Sequence, residues 1–405
     1  MPIALVHYLS IMTHAIDPIL LAQQLIQCPS VTPTEAGALD VLEGHLTDLG
    51  FDVSRMMFEA EGTPPVENLY ARLGSQSPNF CFAGHTDVVP PGREADWTTP
   101  PFAAHIEDGI LTGRGATDMK GAIAAFIGAA AQYLSTSSHT PTAGSISLMI
   151  TGDEEGPAIN GTQKMLSWLE ERGETIDHCL VGEPTNPAKM GEMIKVGRRG
   201  SINAWVTIKG QQGHVAYPDR AKNPLHALPA YLTALTQTPL DDGYARFQPS
   251  SLQITQIETD NPAHNVIPDD VKIRLNVRFN PNWRGVDVAN WINERLAHAQ
   301  EQTGLSASLE SIISGEAFLT RDDDFLSMLA ACVKKRTGNQ PDLSTSGGTS
   351  DARFIQRIAP VAEFGLVGAT MHQIDERVET ADITLLTDIY ADILATYFKT
   401  YGTPQ

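Results

Sequence analysis

Two kinds of hydrophobic pattern divide the chain. Up to about residue 199, apolar residues fall in short continuous runs separated by amphipathic stretches. Asp17-Pro18 reads as a cap followed by a first-turn proline, and Ile19, Leu20, Leu25 and Ile26 continue a predicted helix to about Gln27. A second helix is predicted from Glu35, stopping at Gly50. Short β-like runs follow at 51–57, 68–73 and 80–83, then an alanine-rich helix at 119–134, a strand at 145–150, a helix at 165–172 and a buried strand from 179. Continuous apolar strands between helices predict a sheet covered on both faces.

After Gly200 the pattern becomes alternating. Ile202, Ala204, Val206 and Ile208 share one face, as do Val271, Ile273, Leu275, Val277 and Phe279. A period of two predicts strands with one wet face, in an open antiparallel sheet backed by helices at 224–235 and 286–298. From about Glu316 the first rhythm returns and runs to a C-terminal helix near 385–401. The expected fold class is α/β: a large domain with a mixed sheet flanked by helices (residues 1–199 and 315–405), carrying a smaller inserted α+β domain (200–314).

Composition supports two soluble domains: 405 residues, 42% hydrophobic and 19% charged. The net charge of -20 argues against nucleic-acid and anionic-membrane partners, and an anionic substrate would need a local cluster of arginines. The four cysteines are scattered without a C-x-x-C pair, which predicts reduced thiols. Residues 3–12 are apolar, but no Lys or Arg precedes Arg55 and no small-residue cleavage site follows. That is not a secretory signal, so the expected location is the cytoplasm, with Met12 an alternative start.

Five places put His, Asp or Glu just after an apolar strand or in a glycine-rich turn, the edge where open α/β sheets bind ligands. Strand 80–83 ends at Gly84, expected to let His85 leave at an unusual angle, with Asp87 two residues on and placed to hold the ring's tautomer. A plain surface pair is the other reading. The loop from Gly113 to Gly121 lacks the spacings of a phosphate cradle and presents Asp118. Asp153, Glu154 and Glu155 follow a strand, either as a solvated acidic turn or as a metal ligand beside a general base. Glu183 and His372 end two further apolar stretches. Together they form the mixed nitrogen and oxygen set that suits Zn2+, with no cysteine for a structural zinc finger.

These residues lie in longer motifs: G-H-T-D-V-V-P, G-R-G-A-T-D-M-K-G, T-G-D-E-E-G-P-A-I-N-G-T, V-G-E-P-T, V-G-R-R-G-S, G-H-V-A-Y-P, H-N-V-I-P, S-G-G-T-S-D-A-R-F and M-H-Q. On them the chain, from about Ile16 to its end, resembles the zinc-dependent aminoacylase and carboxypeptidase superfamily. The run 156–162, the Arg198-Arg199 pair and residues 346–354 are similar to its desuccinylase branch. The resemblance implies two Zn2+ per subunit, with Co2+ as a substitute, bridged by Asp118. His85 and Glu183 would hold one ion, and Glu155 and His372 the other. Asp87 would orient His85, Glu154 would be the general base, and the peptide after Asp118 would be cis. His214 is nominated as oxyanion donor, reaching the other subunit's site in a homodimer formed through the inserted domain.

The implied reaction hydrolyses the amide of N-succinyl-L,L-2,6-diaminopimelate to succinate and L,L-diaminopimelate. Its carboxylates call for Arg198, Arg199 and Arg278, with backbone and hydroxyl donors at Ser346, Gly347, Gly348 and Thr349, and with Asn265 and Tyr217 from the inserted domain. A related deacylase, such as one acting on N-acetylornithine, or a carboxypeptidase would keep the ligands without needing the arginine pair. A serine hydrolase using Ser350, Asp351 and His372 lacks a G-x-S-x-G elbow, and a non-catalytic binding protein would be expected to have lost a ligand.

Overall fold

The computed structural model describes residues 15–136 and 144–402, so the choice between Met1 and Met12 as start lies outside the described residues. Contacts divide the chain into a larger unit (Met1–Lys195, Arg321–Leu343 and Phe354–Gln405) and a smaller one (Val196–Thr320 and Ser344–Arg353). The smaller unit is wider than the predicted 200–314. Strand Gly197–Arg198 pairs with Phe318–Leu319, which draws both flanks in. The hydrogen bonds of Arg198 Nη1 to Gly348 O (3.0 Å) and of Thr345 Oγ1 to Arg246 O (2.8 Å) bring 344–353 with them.

The larger unit is built on an eight-stranded mixed sheet. Across it the order is Asp52–Phe58, Val66–Leu73, Ser145–Thr151, Asn79–His85, His178–Val181, Val361–Glu363, Met193–Lys195 and Asp342–Ser344. Four central strands, from Ser145–Thr151 to Val361–Glu363, run parallel, so their carboxyl ends share one edge. Every residue in these four is buried, which explains their unbroken apolar runs. On one face Phe80 and Phe82 meet the helices Gly121–Thr136 and Thr380–Tyr401. Phe82 stacks on Phe126 at 4.3 Å and meets Tyr390 edge-on, while Phe80 meets Tyr397 at 4.9 Å. Asp17 caps the helix Pro18–Ile26 by accepting from Ile19 N at 2.9 Å, with Pro18 in the first turn.

Two local expectations need correction. The strand Asn79–His85 runs through Gly84 and includes His85, so this glycine does not swing the histidine out. It is needed because a Cβ there would sit 2.7 Å from Met119 Cε. The alanine-rich helix starts at Gly121 and not at Met119, because Asp118 (φ -125°, ψ 92°) and Met119 (φ -133°, ψ 28°) leave helical geometry. The Asp118–Met119 peptide is cis, as the resemblance implies.

The smaller unit holds a four-stranded antiparallel sheet in the order Ser251–Glu258, Asp270–Phe279, Gly200–Lys209, Ala307–Gly315. Its inward residues are those of the alternating pattern, and they share a core with Tyr231 and Leu235 of helix Pro224–Thr236 and with Val288, Trp291 and Ile292 of helix Gly285–Thr303. Among the described residues no helix is long and apolar enough to cross a membrane.

The tightest backbone approach beside the strand ends is at Gly365. A Cβ there would lie 2.3 Å from Gly182 O and 2.5 Å from Glu183 O, and neither carbonyl can retreat without moving its strand. Gly365→Ala is expected to cost about 1–3 kcal/mol, read as a lowered midpoint in urea denaturation.

Candidate metal centre

The parallel strands deliver their charged residues to one place. His85 ends its strand, Glu154 and Glu155 follow Ser145–Thr151, and Glu183 follows His178–Val181. Asp118 arrives from the turn Ala116–Lys120, and His372, in a left-handed conformation (φ 62°), from the loop after Val361–Glu363. Three groups of potential ligand atoms result, each within 4.8 Å: His85, Asp118 and Glu183; Asp118, Glu155 and His372; and His85, Glu154 and Glu155.

Asp118 lies between the two imidazoles. Its Oδ1 is 3.2 Å from His85 Nε2 and its Oδ2 is 3.2 Å from His372 Nε2. His85 Nε2 also faces Glu183 Oε1 at 3.7 Å, and His372 Nε2 meets Glu155 Oε1 at 2.8 Å. Burial opposes charge on Asp118, yet His372 and His85 hold its carboxyl well below the usual carboxylate range. Hydrogen bonds to Asp118 and Glu155 push His372 up to about 10. Burial works against the His85 imidazolium too, but Asp118, Glu183 and Asp87 hold the ring well above its ordinary value. A pocket that stabilises positive charge on both rings is one whose field favours cations.

The donor set fits a pair of divalent ions. Two imidazole nitrogens and three carboxylates are the mixed set zinc takes, and one carboxylate stands where two ions could share it. His85 Nε2 and Asp118 Oδ1 are buried and lack a properly aligned hydrogen bond, which is expensive for two polar atoms unless a ligand satisfies them.

Asp87 differs in detail from the expectation. His85 Nδ1 donates to the backbone carbonyl of Asp87 at 2.9 Å, with the carboxylate farther away at 3.6 Å. The carbonyl therefore sets the tautomer that turns Nε2 inward. The carboxylate accepts instead from Glu154 N (3.3 Å) and Glu155 N (3.0 Å), which ties the acidic segment to the histidine strand. Burial pushes this carboxyl up to about 6, against the pull of His85 and those two N–H groups.

The chain matches the model of Peptidase family M20/M25/M40 over residues 81–396. It belongs to that family. It is 54% identical over 388 residues to a succinyl-diaminopimelate desuccinylase of Caulobacter vibrioides, covering 96% of this chain and 98% of the relative. A protein of the same name from Rhodospirillum rubrum is 54% identical over 392 residues, covering 95% and 99%. Among solved structures, an M20 family metallo-carboxypeptidase from Sulfolobus solfataricus superposes with a TM-score of 0.74 at 16% identity, covering 94% of this chain and 99% of that one. A dinuclear metal binding peptidase of the M20 family from Bacillus subtilis gives 0.68 at 16%, covering 95% and 98%. The chain thus shares the fold and the hydrolase class of M20/M25/M40 proteins.

The remaining expected site residues lie in the smaller unit. His214 and Asn265 are neighbours across a short two-stranded antiparallel ladder, where His214 pairs with Val266 and Val215 N donates to Asn265 O at 3.1 Å. His214 Nδ1 accepts from Ala216 N at 3.0 Å, which leaves Nε2 as the donor, and Tyr217 stands 5.7 Å from its ring. Both His214 and Tyr217 are exposed. Arg198 is buried and spends one donor on Gly348 O. Burial and the neighbouring Arg199 charge lower Arg278, and Arg199 Nε is buried without a partner among the described residues. Ser346 Oγ lies 3.0 Å from Ser344 Oγ, Thr349 Oγ1 accepts from Arg353 Nη1 at 3.3 Å, and Gly347 adopts φ 102°.

Sequence reasoning missed the scaffold under these groups. Asp153 does not face the ligands: its Oδ2 accepts from Ile159 N (2.8 Å) and Asn160 N (2.7 Å), folding the 153–160 loop back on itself. Asn160 in turn donates to Thr63 Oγ1 and Pro64 O. Lys120 is fully buried, and its Nζ donates to Leu25 O (2.9 Å) and Cys28 O (2.8 Å) at the end of the first helix. Burial pushes this ammonium down to about 8. Glu376, also fully buried, accepts from Arg114, Thr117 N and Asp118 N. Position inside a glycine-rich motif was a signal for Arg114 and Lys120, though it does not say whether they are buried, and Glu376 carries no such signal. Asp153→Ala strips the buried Asn160 N–H and the part-buried Ile159 N–H of their acceptor and is expected to cost about 1–3 kcal/mol, measured by urea denaturation of the metal-free protein.

Proposed function

We propose that the protein is a dinuclear zinc amidohydrolase converting N-succinyl-L,L-2,6-diaminopimelate to succinate and L,L-diaminopimelate. The observation that carries this reading is Asp118 standing 3.2 Å from each of two imidazoles, with Glu155, Glu183 and Glu154 around them. Relatives named for that activity, at 54% identity over nearly the whole chain, support the choice of substrate.

In this reading His85, Asp118 and Glu183 would hold one zinc, and Asp118, Glu155 and His372 would hold the other. When bound, the pair supplies a water of lowered pKa and relief of charge at the scissile carbonyl oxygen. Glu154, held by its backbone to Asp87, would serve as the general base and carry a proton to the departing amine nitrogen. Asp87 keeps His85 and the acidic segment in register. In the homodimer His214 would donate from Nε2 to the carbonyl oxygen in the other subunit's site, since its Nδ1 is already an acceptor.

Arginines answer the substrate's charge. Arg199 and Arg278 repel one another and are partly buried, an arrangement that an anionic carboxylate relieves. Arg198 also bonds Gly348 O, holding the loop of Ser346, Gly347 and Thr349, in which the Gly347 and Thr349 N–H groups suit a further carboxylate. Asn265 and Tyr217 flank His214 as substrate contacts. A homodimer through the smaller unit is supported by its two open sheet edges, Ser251–Glu258 and Ala307–Gly315. Four free cysteines agree with a reducing cytoplasm.

The decisive assay compares N-succinyl-L,L-diaminopimelate with N-acetylornithine and a dipeptide, with and without added Zn2+ or Co2+. Cleavage of the succinylated compound far above the other two, lost on chelation, is expected; preference for the acetylated compound would sink the reading. Glu154→Gln should lower kcat at least about 10²-fold while elemental analysis finds the wild-type zinc content. Ordinary turnover in that variant removes Glu154 from proton transfer.

A further inference from the structure

We infer that Glu376 is the positioning residue that aims the Asp118 carboxylate at both imidazoles. The inference rests on the metal-centre reading above. Glu376 lies four residues after His372 and touches no candidate ligand atom. Its reach is through backbone. Oε1 accepts from Thr117 N at 3.0 Å and Asp118 N at 3.1 Å, and Oε2 accepts from Arg114 Nη1 at 2.6 Å.

The turn creates the need for this acceptor. Asp118 is not helical, so neither N–H enters the helix that begins at Gly121. Both donors are buried, where an unmet N–H is costly, and one carboxylate oxygen satisfies the pair. Arg114 fixes that carboxylate in turn. It also donates to Gln373 O at 3.2 Å and lies over the Trp97 ring at 5.3 Å. Two more bonds strap the segments together: Gly113 N to Glu376 O (2.9 Å) and Thr117 Oγ1 to Val367 O (2.7 Å).

Aim matters more for Asp118 than for any other candidate ligand. Its two oxygens face different histidines at equal distances of 3.2 Å, so a small rotation lengthens one separation as it shortens the other. Glu376 holds the peptide from which that side chain hangs. Because the same loop carries His372, one short segment supplies a ligand and orients the carboxylate between the two sites.

The test uses full-length, metal-free protein and two variants, Glu376→Ala and Glu376→Gln. Zinc affinity is read by competition with a chromophoric chelator, coordination by the visible spectrum of the Co2+ form, and folding by Tm. Residues that hold a metal ligand in place in this way are worth roughly 10- to 100-fold in metal affinity. Glu376→Ala is expected to weaken zinc by that amount and to shift the Co2+ bands. Glu376→Gln keeps an oxygen for the two N–H groups but turns an amide NH2 toward Arg114, and should weaken zinc by about 10-fold. If the alanine variant does not fold, the glutamine variant decides. A folded variant with lowered Tm but wild-type zinc affinity and an unchanged Co2+ spectrum would reduce Glu376 to a structural role and overturn the inference. Wild-type protein that binds neither metal would overturn the metal centre as well, so the two failures are distinguishable.

Discussion

Crowding of like charge is the constraint around which the larger unit is arranged. Asp87, Asp118, Glu154, Glu155 and Glu183 approach one another at the carboxyl edge of four parallel strands, and carboxylates at such separations repel unless positive charge lies among them. Side-chain geometry alone does not hold them there. The backbone does, through N–H groups of the acidic segment bonded to Asp87, and through the Asp118 turn bonded to Glu376. Negative charge is thus used twice in the same few residues, once toward the pocket and once to fasten the peptides that present it.

This dual use explains why three consecutive acids after Ser145–Thr151 are not redundant. Asp153 turns back to close its own loop, whereas Glu154 and Glu155 turn toward His85. The glycines of the neighbouring run have the same origin. A Cβ on Gly156 would lie 2.5 Å from Asp153 Oδ1, and one on Gly161 would lie 2.3 Å from Thr151 Oγ1. Loop closure therefore accounts for the two glycines of the 156–162 run.

Much of the fold was legible where burial leaves a periodic trace. Strands Gly200–Lys209 and Asp270–Phe279 alternate because each has one dry face, and the central parallel strands are continuous because both faces are dry. Edge strands Ser251–Glu258 and Ala307–Gly315 escaped notice because neither has a fully dry face: Ile257, Ile312 and Ile313 are exposed whichever side they take, which blurs the alternation. The candidate ligands were legible because each follows a recognisable strand or turn. Lys120, Arg114 and Glu376 were not, since a buried ion reads in sequence like any solvated one until its partners are known. Similarly, the width of the smaller unit depends on pairings such as Gly197–Arg198 with Phe318–Leu319, which span over a hundred residues and leave no local pattern.

The buried ammonium of Lys120 ties the glycine-rich loop to the tail of the opening helix. The family model matches only from residue 81 onward, yet the carbonyls that receive this lysine belong to Leu25 and Cys28. The folded unit is consequently longer than the segment that model spans: a fragment cut to residues 81–396 would strand a buried cation two residues from Asp118.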